Sequence, residues 1–190
     1  MKVVIIFHSV CGNTFLMAKA FELALINSGH NVVLKRVIDA DWIEKTDLPT
    51  AVSNLLRTIN SIPEAKPEDL LNADIILMGG PVYFGNVSAE LKAFMDSTGG
   101  LWFQGKLTGK KFAAFVSAGN SEGGGDLALR ALHTYAAYMG MVSLPVSSRI
   151  LPGENINALG VIQYSNGKYS TELDDKSTRL IEQWCRSFEV

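Results

Sequence analysis

Short, almost uninterrupted apolar runs alternate along this chain with segments whose apolar residues recur every three or four positions. No other feature limits the available folds as much. The runs are Val3 to Phe7, Val32 to Val37, Ile75 to Met78, Phe112 to Val116 and Met141 to Val146. Each is too short to cross a membrane and suits a strand buried on both faces. Helix-period patterns lie between them: Met17, Phe21, Ala24 and Leu25, closed by Gly29; then Val52, Leu55, Leu56 and Ile59. Leu91, Phe94 and Met95 follow Ser88, and Leu129, Leu132 and Ala136 are ended by Gly140. A last helix is predicted after Asp174 and Asp175, with Leu180, Ile181, Trp184 and Cys185 on one face. This alternation predicts an α/β fold built on a five-stranded parallel sheet covered on both sides. Right-handed crossovers favour the doubly wound strand order 2-1-3-4-5.

The 190 residues are expected to form a single domain, 1–190, without repeat, linker or low-complexity tract. A hydrophobic content of 47% beside 19% charged residues is that of a globular chain, not a disordered one. The formal net charge is −2 and no Lys/Arg cluster occurs, which argues against nucleic acid or a membrane as partner. Cys11 and Cys185 stand far apart, so neither a disulfide framework nor a zinc site is expected. Lys2 precedes only five apolar residues, too few for a signal peptide, and a cytoplasmic protein is expected. Asn166-Gly167, between Val161-Ile162-Gln163-Tyr164 and Lys168-Tyr169-Ser170, predicts a β-hairpin near the C-terminus. Such a ribbon covers an edge strand or serves as a cofactor lid or subunit contact.

Three loops are predicted to end at the carboxyl edge of the sheet, where doubly wound folds bind ligands. The first runs Ser9-Val10-Cys11-Gly12-Asn13-Thr14, between the first strand and its helix. Backbone N–H groups and the helix dipole converge there on an anion, and Ser9, Asn13 and Thr14 add side-chain donors. No Lys or Arg occurs between Val3 and Ala18, unlike a P-loop, so the cradle suits a phosphate that is held and not transferred. The plainer reading is an ordinary turn whose Ser and Asn cap the helix. Cys11 as a thiolate nucleophile lacks the nearby Arg that phosphoryl transfer needs and reads as a small loop residue. The second loop follows Gly79-Gly80 and runs Pro81-Val82-Tyr83-Phe84-Gly85-Asn86. The third is Ser117-Ala118-Gly119-Asn120-Ser121-Glu122-Gly123-Gly124-Gly125. Their glycines permit close approach to a planar ligand, and Tyr83 or Phe84 suits packing on its face.

These residues resemble flavodoxin-like flavoproteins, in particular the WrbA-type NAD(P)H:quinone oxidoreductases and related NADPH-dependent FMN reductases. The resemblance covers about residues 1–146 and is most specific over Leu91, Phe94, Asp96 and Thr98-Gly99-Gly100-Leu101-Trp102. It implies FMN as cofactor, with the phosphate on Ser9, Val10, Cys11, Gly12, Asn13 and Thr14. The flavin ring would lie among Pro81, Val82, Tyr83, Phe84, Gly85 and Asn86 and, opposite, Ser117, Ala118, Gly119, Asn120, Gly123 and Gly124. Tyr83 and Trp102 would shape the substrate site, Trp102 from a neighbouring subunit of a homo-oligomer, dimer or tetramer. NADH or NADPH would be the transient electron donor, and a quinone or similar small molecule the acceptor. Two departures remove polar groups from the substrate side: the family's His falls at or near Met139, and its Arg in the second loop is Tyr83. His133 reads as an ordinary helix residue.

No cluster of His, Asp and Glu is expected in these loops, and no side chain is assigned as acid or base; Glu122 reads as a solvated charge and Asp126 as a helix cap. A flavodoxin-type electron carrier is the alternative, but such carriers use a strong acidic field that a net charge of −2 does not supply. A cofactor-free interaction protein on the same fold is the third reading.

Overall fold

The computed structural model describes residues 1–39, 49–168 and 171–189. Strand β1 (Lys2–Phe7) lies between β2 (Asn31–Arg36) and β3 (Ile75–Tyr83), parallel to both; β5 (Lys111–Ala118) pairs β3 on its other side. Alternation within each strand sends side chains to two separate cores. Val3, Ile5, Phe7, Ile75, Leu77, Ala113 and Phe115 enter one, and Val4, Ile6, Ile76, Met78, Phe112, Ala114 and Val116 the other. The first core is covered by α1 (Asn13–Asn27), α2 (Thr50–Ser61) and α6 (Asp175–Arg186), and the second by α3 (Ala89–Ser97) and α5 (Gly125–Tyr138). A short helix, α4 (Gly99–Phe103), follows α3. Each predicted helix is present, and the caps are the predicted ones where side chains supply them. Ser88 Oγ accepts from Leu91 N–H at the start of α3, and Asp174 Oδ1 from Ser177 N–H at the start of α6. Trp184 docks α6: its ring meets Phe188 and Phe21 edge-on at 5.3 and 5.9 Å, and its N–H donates to Pro145 O.

The main order is the predicted one, β2-β1-β3-β5 and then a fifth position, but two segments share that position. The run Met141 to Val146 contributes only β6 (Val142–Ser143), which pairs the start of β5. The end of β5 is paired by β7 (Val161–Tyr164), also parallel, with Phe115 opposite Val161 and Ala118 opposite Tyr164. The segment predicted as the first arm of an appended ribbon is thus a strand of the main sheet. The Asn166-Gly167 turn is present, with φ of 50° and 71°, and Lys168 N–H donates to Ser165 O. Of the returning arm, Lys168 is not in a strand, and Tyr169 and Ser170 lie outside the described residues. A β-strand takes the β5 edge because its backbone donors would otherwise be unpaired along a buried strand. Among the described residues no helix is long and apolar enough to cross a membrane.

Gly160 makes the β7 pairing feasible. Its φ is +151°, and a Cβ there would lie 2.1 Å from the backbone oxygen of Ala114. Neither strand can shift without breaking the ladder. Gly160→Ala is therefore expected to lower stability by about 2–4 kcal/mol. Gly99→Ala, where the added methyl meets open space at ordinary φ, is expected to stay within about 1 kcal/mol of wild type. Urea unfolding midpoints check both; equal midpoints would remove Gly160 as the pairing constraint.

Candidate functional site

All three predicted loops leave the same edge of the sheet, because β1, β3 and β5 are parallel and each ends there. The first loop enters α1 through Gly12, whose φ of +94° turns the chain without a side-chain cap. A Cβ at Gly12 would lie 2.2 Å from Leu55 Cδ2, so α2 closes over the loop from outside. Two of the helix's first four amides are used internally: Phe15 N–H donates to Ser9 Oγ at 3.2 Å, and Leu16 N–H to Gly12 O at 2.9 Å. Among the described residues no protein acceptor takes the amides of Asn13 and Thr14. A 15-residue helix thus presents free donors at its positive end, with no cationic side chain in the loop. Val10, Cys11 and Asn13 are half-buried at this surface, whereas Ser9 and Thr14 are buried.

Thr14 does more than line the loop. Its hydroxyl is 2.7 Å from Ser117 Oγ, a buried hydrogen bond that ties the first loop to the third. From Ser117 and the buried Ala118 the chain emerges to the exposed Gly119 and Asn120. Asn120 holds the turn: its side-chain oxygen accepts from Glu122 N–H and its backbone oxygen from Gly123 N–H. Gly124 then opens α5 without a side-chain cap, and Asp126, expected to cap this helix, stands inside its first turn instead.

The second loop differs from expectation in form. Strand β3 runs on through Pro81 and Val82 to Tyr83, and β4 (Asn86–Val87) folds back on it antiparallel. Phe84 and Gly85 are a two-residue turn with φ of 51° and 73°, the twist-matched type that favours glycine at both positions. Phe84 holds this uncommon backbone with a fully exposed ring, and Tyr83 beside it is 45% exposed. The hairpin touches the third loop: a Cβ on Gly124 would lie 2.7 Å from the Cα of Gly85. Asn86 is exposed and bonds locally, its Oδ1 accepting from Val87 N–H.

Trp102 is not in the core. It sits in α4, more than half exposed, beside the still more exposed Phe103, while Leu101 of the same helix packs inward. Met139 is buried in the second core at the end of α5. His133 is a bracket, with Nδ1 2.8 Å from Ser143 Oγ, Nε2 2.6 Å from Leu159 O and its ring edge-on to Phe112. Burial holds its pKa below the ordinary imidazole value, against the opposing effect of the Leu159 carbonyl. Cys185 is buried in the first core, which pushes its thiol pKa up, and Cys11 is a free, half-buried thiol.

One cluster at this edge was not predicted. His8, immediately after β1, is 1% exposed; its Nδ1 is 2.8 Å from Ser88 Oγ, and its Nε2 has no hydrogen-bond partner. Asp39 and Glu90 stand 3.7 Å from Nε2 and Nδ1 respectively. Burial lowers the His8 pKa while Glu90 and Asp39 push it up, and the net direction is down. Burial first, and then Cys11, Glu90 and Asp39, push the pKa of the Tyr83 hydroxyl above its ordinary value. The only hint in the sequence is positional: each member follows or faces a strand's carboxyl end.

The chain matches the profile described as NADPH-dependent FMN reductase over residues 1–155. It is 32% identical over 180 residues to the NAD(P)H dehydrogenase (quinone) of Deinococcus radiodurans, covering 94% of this chain and 90% of that one. It is 38% identical over 146 residues to the protein of the same name from Aromatoleum aromaticum, covering 75% and 69%. Among solved structures, a WrbA-like flavodoxin protein from Agrobacterium tumefaciens aligns with a TM-score of 0.64 at 20% identity, over 98% of this chain and 93% of that one. Flavodoxin 2 from Bacillus cereus aligns at 0.63 and 19%, over 99% and 97%. The structural likeness shows the flavodoxin-like fold, and the sequence match goes further: the chain belongs to the NADPH-dependent FMN reductase family.

Proposed function

We propose that this protein is an FMN-dependent oxidoreductase that takes electrons from NADH or NADPH and delivers two of them to a quinone or similar small acceptor. The observation that carries this reading is the cation-free N-terminus of α1, with the amides of Asn13 and Thr14 open, beside two further loops at one sheet edge. That donor set fits a terminal phosphate monoester, which needs N–H groups and no Lys. FMN carries such a group at the end of its ribityl chain; FAD and NAD(H) hold their phosphates within a pyrophosphate, and the one monoester of NADP(H) sits on the adenosine ribose, far from the ring that reacts. When bound, FMN accepts two electrons as hydride from the nicotinamide and passes them on, so the protein's task is orientation and electrostatics.

In this reading, residues Ser9 to Thr14 hold the phosphate. Pro81 to Asn86 and Ser117 to Asn120, with Gly123 and Gly124, flank the ring. The Thr14–Ser117 hydrogen bond keeps the phosphate seat and the third loop in one fixed relation. Tyr83 and Phe84 offer aromatic faces for the ring or the acceptor. No side chain needs to act as acid or base, since an acceptor entering from water takes its protons there. The family relation supports a homo-oligomer in which Trp102, exposed on α4, serves a neighbouring subunit's site. A cytoplasmic location suits a donor pool of NADH and NADPH.

Four experiments test this. Gly12→Val places a branched side chain at the phosphate seat and against Leu55; FMN affinity by fluorescence titration should fall at least tenfold, about 1.4 kcal/mol. Unchanged affinity would take the loop out of the site. Anaerobic mixing of the FMN-loaded protein with NADH or NADPH should bleach the flavin absorbance, and steady-state rates with a quinone should give parallel reciprocal plots. Absence of bleaching with both nucleotides would favour the electron-carrier reading. Tyr83→Ala should raise the acceptor KM severalfold with little change in the nucleotide half-reaction, the pattern of lost uniform binding. Trp102→Ala should do the same and loosen the oligomer on sizing; a fully active monomer would remove the subunit-interface role.

A further inference from the structure

The corner of the sheet edge formed by β1, β2 and the start of α3 gathers three groups that chelate metals and that the flavin reading does not use. We propose that His8, Asp39 and Glu90 form a binding site for one divalent transition-metal ion of the zinc class. Their ligand atoms all lie within 4.8 Å of one another, although the three come from three different strand ends or helix starts. The second observation is His8 Nε2, a polar atom on a side chain only 1% exposed, with no hydrogen-bond partner. Leaving such an atom unpaired costs about 1–3 kcal/mol, so the folded chain needs a reason to keep it.

The imidazole is set for the task. Ser88 Oγ is fixed as the cap of α3 by Leu91 N–H and lies 2.8 Å from His8 Nδ1. With Nδ1–H donating to that oxygen, Nε2 presents its lone pair, the arrangement by which a hydrogen bond on one ring nitrogen orients a metal ligand on the other. In the other tautomer the nearest acceptor to Nε2–H is Asp39 Oδ2 at 3.7 Å, which becomes an ion pair only when the ring is protonated. That separation is too long for a hydrogen bond but close to the roughly 3.4 Å that two N and O ligands keep on one tetrahedral zinc ion. A cation between the two atoms leaves both nearly where they are.

Charge points the same way. Among the described residues neither Asp39 nor Glu90 is paired with Lys or Arg, and their exposures are 17% and 28%. The imidazole thus stands between two acidic side chains, Asp39 on the Nε2 side of the ring and Glu90 nearest Nδ1. A nitrogen ligand selects zinc-class ions over Mg2+ and Ca2+, which take oxygen.

The test is isothermal titration of untagged, FMN-loaded, chelator-treated protein with ZnCl2, with and without tenfold excess Mg2+. One equivalent should bind, Mg2+ should not displace it, and Asp39→Asn and Glu90→Gln should each weaken binding at least tenfold. Glu154→Gln, an acidic residue paired with Lys176 and Arg179, should leave it unchanged. Circular dichroism and flavin absorbance show that each variant is folded and loaded. Zinc held by the FMN phosphate instead would persist in both carboxylate variants and overturn the assignment. So would absence of binding, or displacement by Mg2+. None of these results bears on the flavin reading, which rests on other residues.

Discussion

The parallel ladder joining β1, β3 and β5 is the constraint from which the rest of this molecule follows. Its strands run in register, Val3 opposite Ile75 and Ile75 opposite Lys111, so their carboxyl ends finish at one edge. Both faces are sealed, one by α1, α2 and α6 and the other by α3 and α5. Polar chemistry has no place within such a sheet and is confined to where the strands stop. Close packing reaches up to that point. A Cβ on Gly79 would fall 2.3 Å from the ring of Phe115, so the aromatic core of one strand depends on the lack of a side chain on its neighbour.

Above that core, short-range bonds turn separate loops into one surface. The buried Thr14–Ser117 hydrogen bond joins residues 103 positions apart, and the contact of Gly85 with Gly124 joins the hairpin to the third loop. A surface held this way has its geometry before any ligand arrives, which suits the cofactor seat proposed for it. The hairpin is the exception in exposure. It lifts Phe84 into solvent at positive φ, a cost no folding argument recovers and one that a planar ligand or a neighbouring chain would offset.

Much of this was legible in the sequence because it is local. The apolar runs at β1, β3 and β5 are doubly covered strands, while β2, with Lys35 and Arg36 in its run, is only half-buried at the sheet edge; Ser88 and Asp174 announce the helices they cap. The first and third loops were recognised because glycine and small polar residues follow a strand directly. What escaped was non-local. Val161–Tyr164 was read as half of a ribbon because the Asn166-Gly167 turn is real, yet a turn does not say which partner a strand takes, and the open edge of β5 competed successfully for it. Val142–Ser143 is exposed and two residues long, since the apolar run around it turns away after pairing only the start of β5. Trp102 could be placed in a core or on a surface by the same pattern; the structure leaves its ring outside.

The His8 cluster shows the same limit at its sharpest. Ser88 and Glu90 lie some 80 residues along the chain from His8, and Asp39 is neighbour to it only because β2 pairs β1 in parallel register through Phe7 and Arg36. No spacing rule joins such residues; the topology does. The same topology separates two opposite demands on one edge. At the start of α1 the free amides and helix dipole call for negative charge, and no acidic side chain lies in that first turn. On the other side of β1's end, two carboxylates and an imidazole call for positive charge. The proposed anion seat and cation seat thus fall at Asn13 and His8, in the one stretch of chain that leaves β1. Both placements follow from β1, since the strand that ends just before His8 is the one that leads into α1.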